Sequence, residues 1–209
     1  MSARVKLYLA SSNPGKLAEF RELAASDALP SSHALNARVE IDLLPEFNSL
    51  PSFEEDSPTF AENAAGKALH YSRQGDGSVF ADDSGLVVPA LGGAPGVHSA
   101  RYAGPGATNA DRIAKLLGEL GGKEGAARAA YFVCAIALAE SGRALAIVTA
   151  RADGEILESP RGSEGFGYDP VFYFPPLNKT FAQLLPEEKN RSSHRGKAFR
   201  KLLDAFGSP

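Results

Sequence analysis

Two adjacent aspartates, Asp82 and Asp83, stand in "FADDSGLVV", directly after an apolar run. Asp, Ser and Gly all favour turns, so the pair reads as a strand end followed by a turn. Two carboxylates placed there also suit a divalent metal or a proton. A second acidic group, Glu54, Glu55 and Asp56, precedes a helical pattern in "FEEDSPTFAENAAGKA". Acids at that place are expected from the helix dipole alone. Mg2+ nevertheless commonly takes one or two carboxylates together with substrate phosphates, and Glu55 and Asp83, from separate segments, have the chemistry to supply them. Candidate cations are spread along the chain: Lys16 in "SSNPGK", Lys67 in "NAAGKA", Lys189 in "PEEKNR" and Arg195 in "SSHRGK". Four positive groups beside a metal-binding pair of acids suit a polyphosphate rather than a neutral metabolite.

Each motif also has a plainer reading. "SSNPGK" (Ser11 to Lys16) joins a strand to a helix, and such a junction offers backbone N–H groups at the positive end of a helix dipole. It serves as well as a simple turn, and the GxxxxGK[ST] spacing of a P-loop is absent. Lys67, two to three turns into its helix, is by default solvated. In "GSEGFGYDP" the glycines let the backbone approach a ligand, and Phe166 or Tyr168 either stacks on a base or enters the core. His194, Arg195 and Lys197 fall in the first turn of a helix, where positive charge opposes the dipole. That conflict points to an anion or ligand, or else to a solvated basic face.

The elements that must position these residues follow from periodicity. Val5 to Ala10 is a predicted strand, followed by a helix with Leu17, Phe20, Leu23 and Ala24 on one face. Ser26 to Ala37 is expected as a surface loop and Val39 to Leu44 as a second strand. Ser57 with Pro58 predicts a helix start, running to about Ser72. Val79 to Ala81 and Leu86 to Val88 are expected as short extended pieces around the aspartates. Thr108 with Asp111 resembles a capping box for a helix ending near Gly121. Ala129 to Ala139 and Ala144 to Ala152 are two long strands joined through "ESGR" as a hairpin. Val171 to Phe174 is a short strand. The last helix starts near Ser193, capped by that serine, with Ala198, Phe199, Leu202, Leu203 and Phe206 as its apolar stripe. Alternating strands and helices interrupted by a hairpin give an α/β protein with a mixed sheet.

With 209 residues, 44% of them apolar, the chain is long enough for a substantial core. The net charge of −3 argues against a general nucleic-acid binder. No apolar run approaches membrane-spanning length, no signal-peptide core is seen at the N-terminus, and a cytoplasmic protein is expected. Cys134 is the one cysteine, set in "YFVCAIALA" as a buried small hydrophobe.

The motifs together resemble the inosine triphosphate pyrophosphatase family, the HAM1-like non-canonical purine nucleoside triphosphate pyrophosphatases. The resemblance rests on "SSNPGK", "FAENAAGKA", "ADDSGLVVPALGGAPGVHSARYAG", "GFGYDPVF" and "EEKNRSSHRGKAF", in family order over nearly the whole chain. It implies a single domain over residues 1–209, with an elongated mixed β-sheet, flanking helices and two lobes around a central cleft, usually in a homodimer. The implied activity is Mg2+-dependent hydrolysis of ITP, dITP and XTP to the monophosphate and pyrophosphate, which removes deaminated purines from the nucleotide pool.

Carried over by resemblance, Ser11, Ser12, Asn13, Pro14, Gly15 and Lys16 hold the triphosphate. Glu55 is similar to the family's acidic metal ligand, and Asp83 to its metal-associated catalytic carboxylate. Ser84 touches substrate, and Lys67 and Lys189 match lysines of the binding cleft. Phe166, Gly167, Tyr168 and Asp169 match the base-binding segment, and His194 and Arg195 the pair that reads the base. The first loop often reads Thr-Gly-Asn in relatives, whereas here it is Ser11-Ser12-Asn13 followed by Pro14, and Glu54 and Asp56 flank Glu55, so that choice depends on register. Alternatives are a Maf-like nucleotide pyrophosphatase acting on other nucleotides and a catalytically silent nucleotide-binding regulator. "GFGYDP" with "SHRGKA" favours the first family over the Maf-like one.

Overall fold

The computed structural model describes residues 5–25 and 39–207. The predicted loop from Ser26 to Ala37 and the side chain of Phe206 lie outside the described residues. The elements in chain order are β1 (Val5–Leu9), α1 (Pro14–Ala25), β2 (Val39–Leu43), α2 (Phe60–Tyr71), β3 (Ser78–Val87), α3 (Asn109–Glu119), β4 (Ala129–Glu140), β5 (Arg143–Ile156), β6 (Phe172–Phe174), β7 (Lys179–Thr180), α4 (Pro186–Ser192) and α5 (His194–Gly207). The hydrogen-bonded order is β2-β1-β3-β4-β5-β6-β7. β1 is parallel to β2 and β3, and β6 is antiparallel to β5 and β7, so the mixed α/β sheet expected from the sequence is present. Ser141 and Gly142, both at positive φ (49° and 76°), join β4 to β5, as a tight two-residue hairpin turn requires.

The described residues divide into two compact units. The first holds the chain up to Asp83, with Cys134–Ala150 and the residues from Arg195 onward. Its part of the sheet is covered on both faces. Leu7, Leu9, Phe80, Cys134, Ile136 and Leu138 are buried with Phe20 and Leu23 of α1 and Phe199 and Leu202 of α5. Phe20 meets Phe80 edge-on at 5.0 Å, a favoured aromatic geometry. The other face carries Val79, Ala81, Ala135, Ala137 and Ala139, clustered with Ala64, Ala68 and Tyr71 of α2. Small side chains on both sides let α2 lie close to the strands. Successive strand residues point to opposite faces. In the first unit's part of β3, Phe80 therefore faces α1 and α5, and Val79 and Ala81 face α2.

The second unit comprises Ser84–Val133 and Arg151–His194. Its core gathers Leu86, Ile113, Leu116, Leu120, Phe132, Tyr168, Phe172 and Phe181. α3 begins at the expected capping box, in which the Asp111 N–H donates to Thr108 Oγ1 at 3.2 Å and the Thr108 N–H to Asp111 Oδ2 at 2.8 Å.

Three sequence expectations are corrected. β3 does not stop at the aspartates; it is one ten-residue strand, with Asp82 and Asp83 in its middle. A turn-like composition yields here because each carboxylate has partners from distant segments: Lys16 and Arg195 for Asp82, and Asn63 for Asp83. α2 starts at Phe60 rather than after Ser57, since the Thr59 hydroxyl accepts the Glu62 N–H at 3.2 Å and makes the better cap. A short helix, α4, precedes α5 where no element is predicted. Pro186 opens it, and Glu188 accepts the Leu185 N–H at 2.9 Å.

Candidate functional site

Both aspartates of β3 are buried, and they point to opposite sides. Asp82, on the face of Phe80, has no exposure. Lys16 Nζ lies 3.0 Å from its Oδ1, and Arg195 Nε lies 3.6 Å from its Oδ2. Burial pushes the Asp82 carboxyl up, but Lys16 and Arg195 outweigh it and hold the group below the usual carboxylate range. Arg195 also donates to Glu19 of α1. Lys16, Asp82, Arg195 and Glu19 thus form one buried ionic chain linking α1, β3 and α5.

Asp83 follows Val79 and Ala81 onto the α2 side. Its Oδ2 accepts from Asn63 Nδ2 at 3.0 Å. Burial pushes its carboxyl up to about 6; the Asn63 bond and the Lys16 charge oppose this, and the Glu55 and Asp82 charges add to it. A carboxylate shifted towards neutrality is suited to accept a proton from water.

The acidic segment before α2 alternates in exposure. Phe53, Glu55 and Ser57 are half-buried, while Glu54 and Asp56 are exposed, the alternation of an extended segment with one face on the protein. Glu55 is the acid on the inner face, where it pairs with Lys67 of α2.

The strand-to-helix junction is less open than its sequence suggests. Pro14 heads α1 and has no N–H, and Asn13 Oδ1 accepts from the Gly15 and Lys16 N–H groups at 2.9 and 3.3 Å. The Leu17 N–H bonds to the Asn13 carbonyl, and the Asn13 N–H to Ser11 Oγ. The helix-start donors are therefore engaged by the loop itself. Ser11 is buried, Gly15 and Lys16 are half-buried, and Ser12, Asn13 and Pro14 are exposed. An anion held there would exchange with Asn13 or use the Lys16 ammonium.

In the second unit, the loop before β6 turns around Asp169. Its Oδ2 accepts from the Phe166 N–H at 2.9 Å and from Lys189 Nζ of α4 at 2.7 Å. Lys189 also sits 5.2 Å from the centre of the Phe166 ring, a cation–π approach. Tyr168 belongs to the core: it is buried, and its hydroxyl donates to the Ser99 carbonyl at 3.0 Å. Phe166 and Gly167, both half-buried, are the more accessible members of the loop. Ser84 is half-buried on β3. His194 is buried and stacks on Phe132 at 4.7 Å, with ring planes 9° apart. His194 and Arg195, adjacent in sequence, thus join different surroundings: aromatic rings of the second unit for the histidine, carboxylates of the first for the arginine.

Sequence reasoning missed Asp82 as the counter-ion of Lys16 and Arg195, Glu19 as a further partner, and Asn63. Asn63 left a faint signal, as an amide on the alanine-rich buried side of α2. Each candidate cation has a carboxylate partner: Lys16 with Asp82, Lys67 with Glu55, Lys189 with Asp169, and Arg195 with Glu19. The donor chemistry fits Mg2+. Glu55 and Asp83 offer hard oxygen donors, and the Glu55 charge helps push the Asp83 carboxyl up, a repulsion that a shared divalent cation would relieve.

Comparison with known proteins shows the family. Residues 7–205 match the model of the Ham1 family. The dITP/XTP pyrophosphatase of Geobacillus kaustophilus is 51% identical over 197 residues, covering 94% of this chain and 92% of that protein. The dITP/XTP pyrophosphatase of Gloeobacter violaceus is 52% identical over 198 residues, again 94% of this chain and 92% of that protein. Among solved structures, a HAM1 protein from Coxiella burnetii superimposes with a TM-score of 0.82 at 42% identity, over 97% of this chain and 98% of that one.

Proposed function

The chain belongs to the Ham1 family, and on that premise we propose that it hydrolyses ITP, dITP and XTP to the nucleoside monophosphate and pyrophosphate, clearing deaminated purines from the nucleotide pool. The observation that carries this reading is Asp83, a buried carboxylate bonded to Asn63 and pushed up to about 6 by burial, with the Glu55 charge adding to the shift.

The triphosphate would engage Lys16 and Lys67. Each would trade its carboxylate for a phosphate oxygen, an exchange of one charge-assisted bond for another. Glu55 and Asp83 would hold Mg2+, which would lower the pKa of water and neutralise charge on the leaving group. Asp83 would orient the attacking water and accept its proton. The water oxygen bonds to the α-phosphorus as the bond to the β-bridging oxygen breaks, and pyrophosphate departs with its charge on the lysines. Arg195 would stay with Asp82 and Glu19, keeping the Asp82 carboxylate paired when Lys16 turns to phosphate.

Selectivity would come from the 6-oxo group of hypoxanthine and xanthine. It accepts a hydrogen bond where adenine offers an amino donor. His194 and the N–H groups of the 165–169 loop are the donors this reading assigns. A donor facing a donor costs about 1–3 kcal/mol when buried, so adenine is disfavoured. By family resemblance the reading extends to a homodimer acting in the cytoplasm. Among the described residues, no helix is long and apolar enough to cross a membrane.

The test is pyrophosphate release from ITP, XTP, ATP, GTP, dUTP and TTP, with Mg2+ and with EDTA. Release from ITP and XTP with Mg2+ alone is expected. Equal rates on ITP and ATP would defeat the selectivity argument, and full activity in EDTA the metal assignment. Light scattering should give twice the monomer mass.

A further inference from the structure

The segment carrying Glu55 is fastened to α2 on both sides of that residue. Upstream, the Phe53 N–H donates to Tyr71 Oη at 3.3 Å, and the Phe53 ring lies where a side chain on Gly66 would have to go, since a Cβ there would fall 2.5 Å from Cζ. Downstream, Asn63 makes three bonds. Its Oδ1 accepts the Ser57 N–H at 2.9 Å, and its Nδ2 donates to the Ser57 carbonyl at 3.2 Å and to Asp83 Oδ2 at 3.0 Å. The side chain is 1% exposed. An amide is the one short group that can do this. It pairs with a backbone N–H and C=O as another peptide would, and it has a second N–H left for a carboxylate. Aspartate would set a carboxylate against Asp83, and leucine would leave three polar groups without this partner.

We propose that Asn63 is a positioning residue for the metal pair: by clamping Ser57 and Asp83 together it fixes Glu55 opposite Asp83, so that the two carboxylates form a divalent-cation site before substrate arrives. The proposal rests on the assignment of Glu55 and Asp83 as the metal ligands. Groups that orient ligands in this way typically change metal affinity by about 10–100-fold when removed.

The test titrates the substrate-free chain with Mn2+ alone, following free Mn2+ by electron paramagnetic resonance, for wild type, Asn63→Ala and Asp83→Asn. Wild type should bind, Asp83→Asn should not, and Asn63→Ala should bind about tenfold or more weakly. In turnover with saturating ITP, Asn63→Ala should need correspondingly more Mg2+ while recovering much of its rate once that is supplied. A merely structural residue would not produce this split. Wild-type Mn2+ affinity in a folded Asn63→Ala overturns the proposal while leaving the metal ligands standing. Equal binding by wild type and Asp83→Asn overturns the ligand assignment itself. No Mn2+ binding by wild type overturns preassembly. Should Asn63→Ala fail to fold, amide exchange in wild type decides: the Ser57 N–H should exchange slowly, and exchange at the rate of an open loop refutes the clamp.

Discussion

Replacing Asp83 with asparagine should make the protein more stable as it makes it inactive. Burial pushes the carboxyl up to about 6 in the folded chain, from an ordinary value of 3.8. Between those values the folded state holds a proton that the unfolded state has released. Stability therefore falls as pH rises through the window, and the loss is complete above about pH 6. Two pKa units at about 1.4 kcal/mol each give about 3 kcal/mol. Asparagine carries no charge to desolvate, and its Oδ1 can still accept the Asn63 N–H now bonded to Asp83. The assay is thermal and urea unfolding of wild type and Asp83→Asn in EDTA, at pH 7.5 and pH 4. The variant should gain about 3 kcal/mol at pH 7.5, about 6–12 °C in Tm for a chain of this size, and nearly nothing at pH 4. Pyrophosphate release from ITP should fall by orders of magnitude. A variant less stable than wild type at pH 7.5, or a gain that does not change with pH, would refute the reasoning, because burial of a charge could then not be what perturbs Asp83.

Asp82→Asn should do the opposite. It leaves buried Arg195 and half-buried Lys16 with a weakened partner and should cost about 3–5 kcal/mol in urea unfolding. Because the Asp82 carboxyl is held below its ordinary range, its stabilisation is present above the unfolded-state pKa and should be lost on acidification below it, visible as a smaller wild-type-to-variant gap in acid. Gly66→Val should displace the Phe53 ring and cost about 1–3 kcal/mol in Tm-derived stability, with a raised Mg2+ requirement in turnover. Gly165→Ala places a Cβ 2.1 Å from Asp169 Oδ2 at a φ of +74°, so the loop must shift. The KM for ITP should rise by about tenfold or more, at an energetic cost of about 1–3 kcal/mol.

Local signals carried much of the architecture. The strand before Ala10, the apolar face of α1, the Thr108–Asp111 box and the β4–β5 hairpin all rest on contacts a few residues apart, and each was legible as periodicity or capping chemistry. The course of β3 was not. Asp-Asp-Ser-Gly has the composition of a turn, and what keeps it extended is Lys16, 66 residues away, together with Arg195 and Asn63. The site was legible in its inventory and illegible in its pairings. Lys16, Lys67, Lys189 and Arg195 stood out as cations, but the carboxylate each one faces depends on which helix lies over which strand. Glu55 could not be told from its neighbours until the outward turn of Glu54 and Asp56 was seen. His194 and Arg195 were paired by family resemblance, yet a single peptide step at the start of α5 separates an aromatic stack from an ionic chain.

Cys134 has a practical consequence. It is the only sulfhydryl among 209 residues, it is wholly enclosed within the first unit, and burial pushes its thiol far up from the ordinary range. The native fold should therefore be blank to maleimides and to mild oxidants. A cysteine placed at an exposed position, such as Glu54 or Glu164, would take up a fluorophore or spin label alone, and the background-free signal would follow the acidic segment or the glycine-rich loop as nucleotide is added. Uptake of label by the unaltered chain would in turn report unfolding.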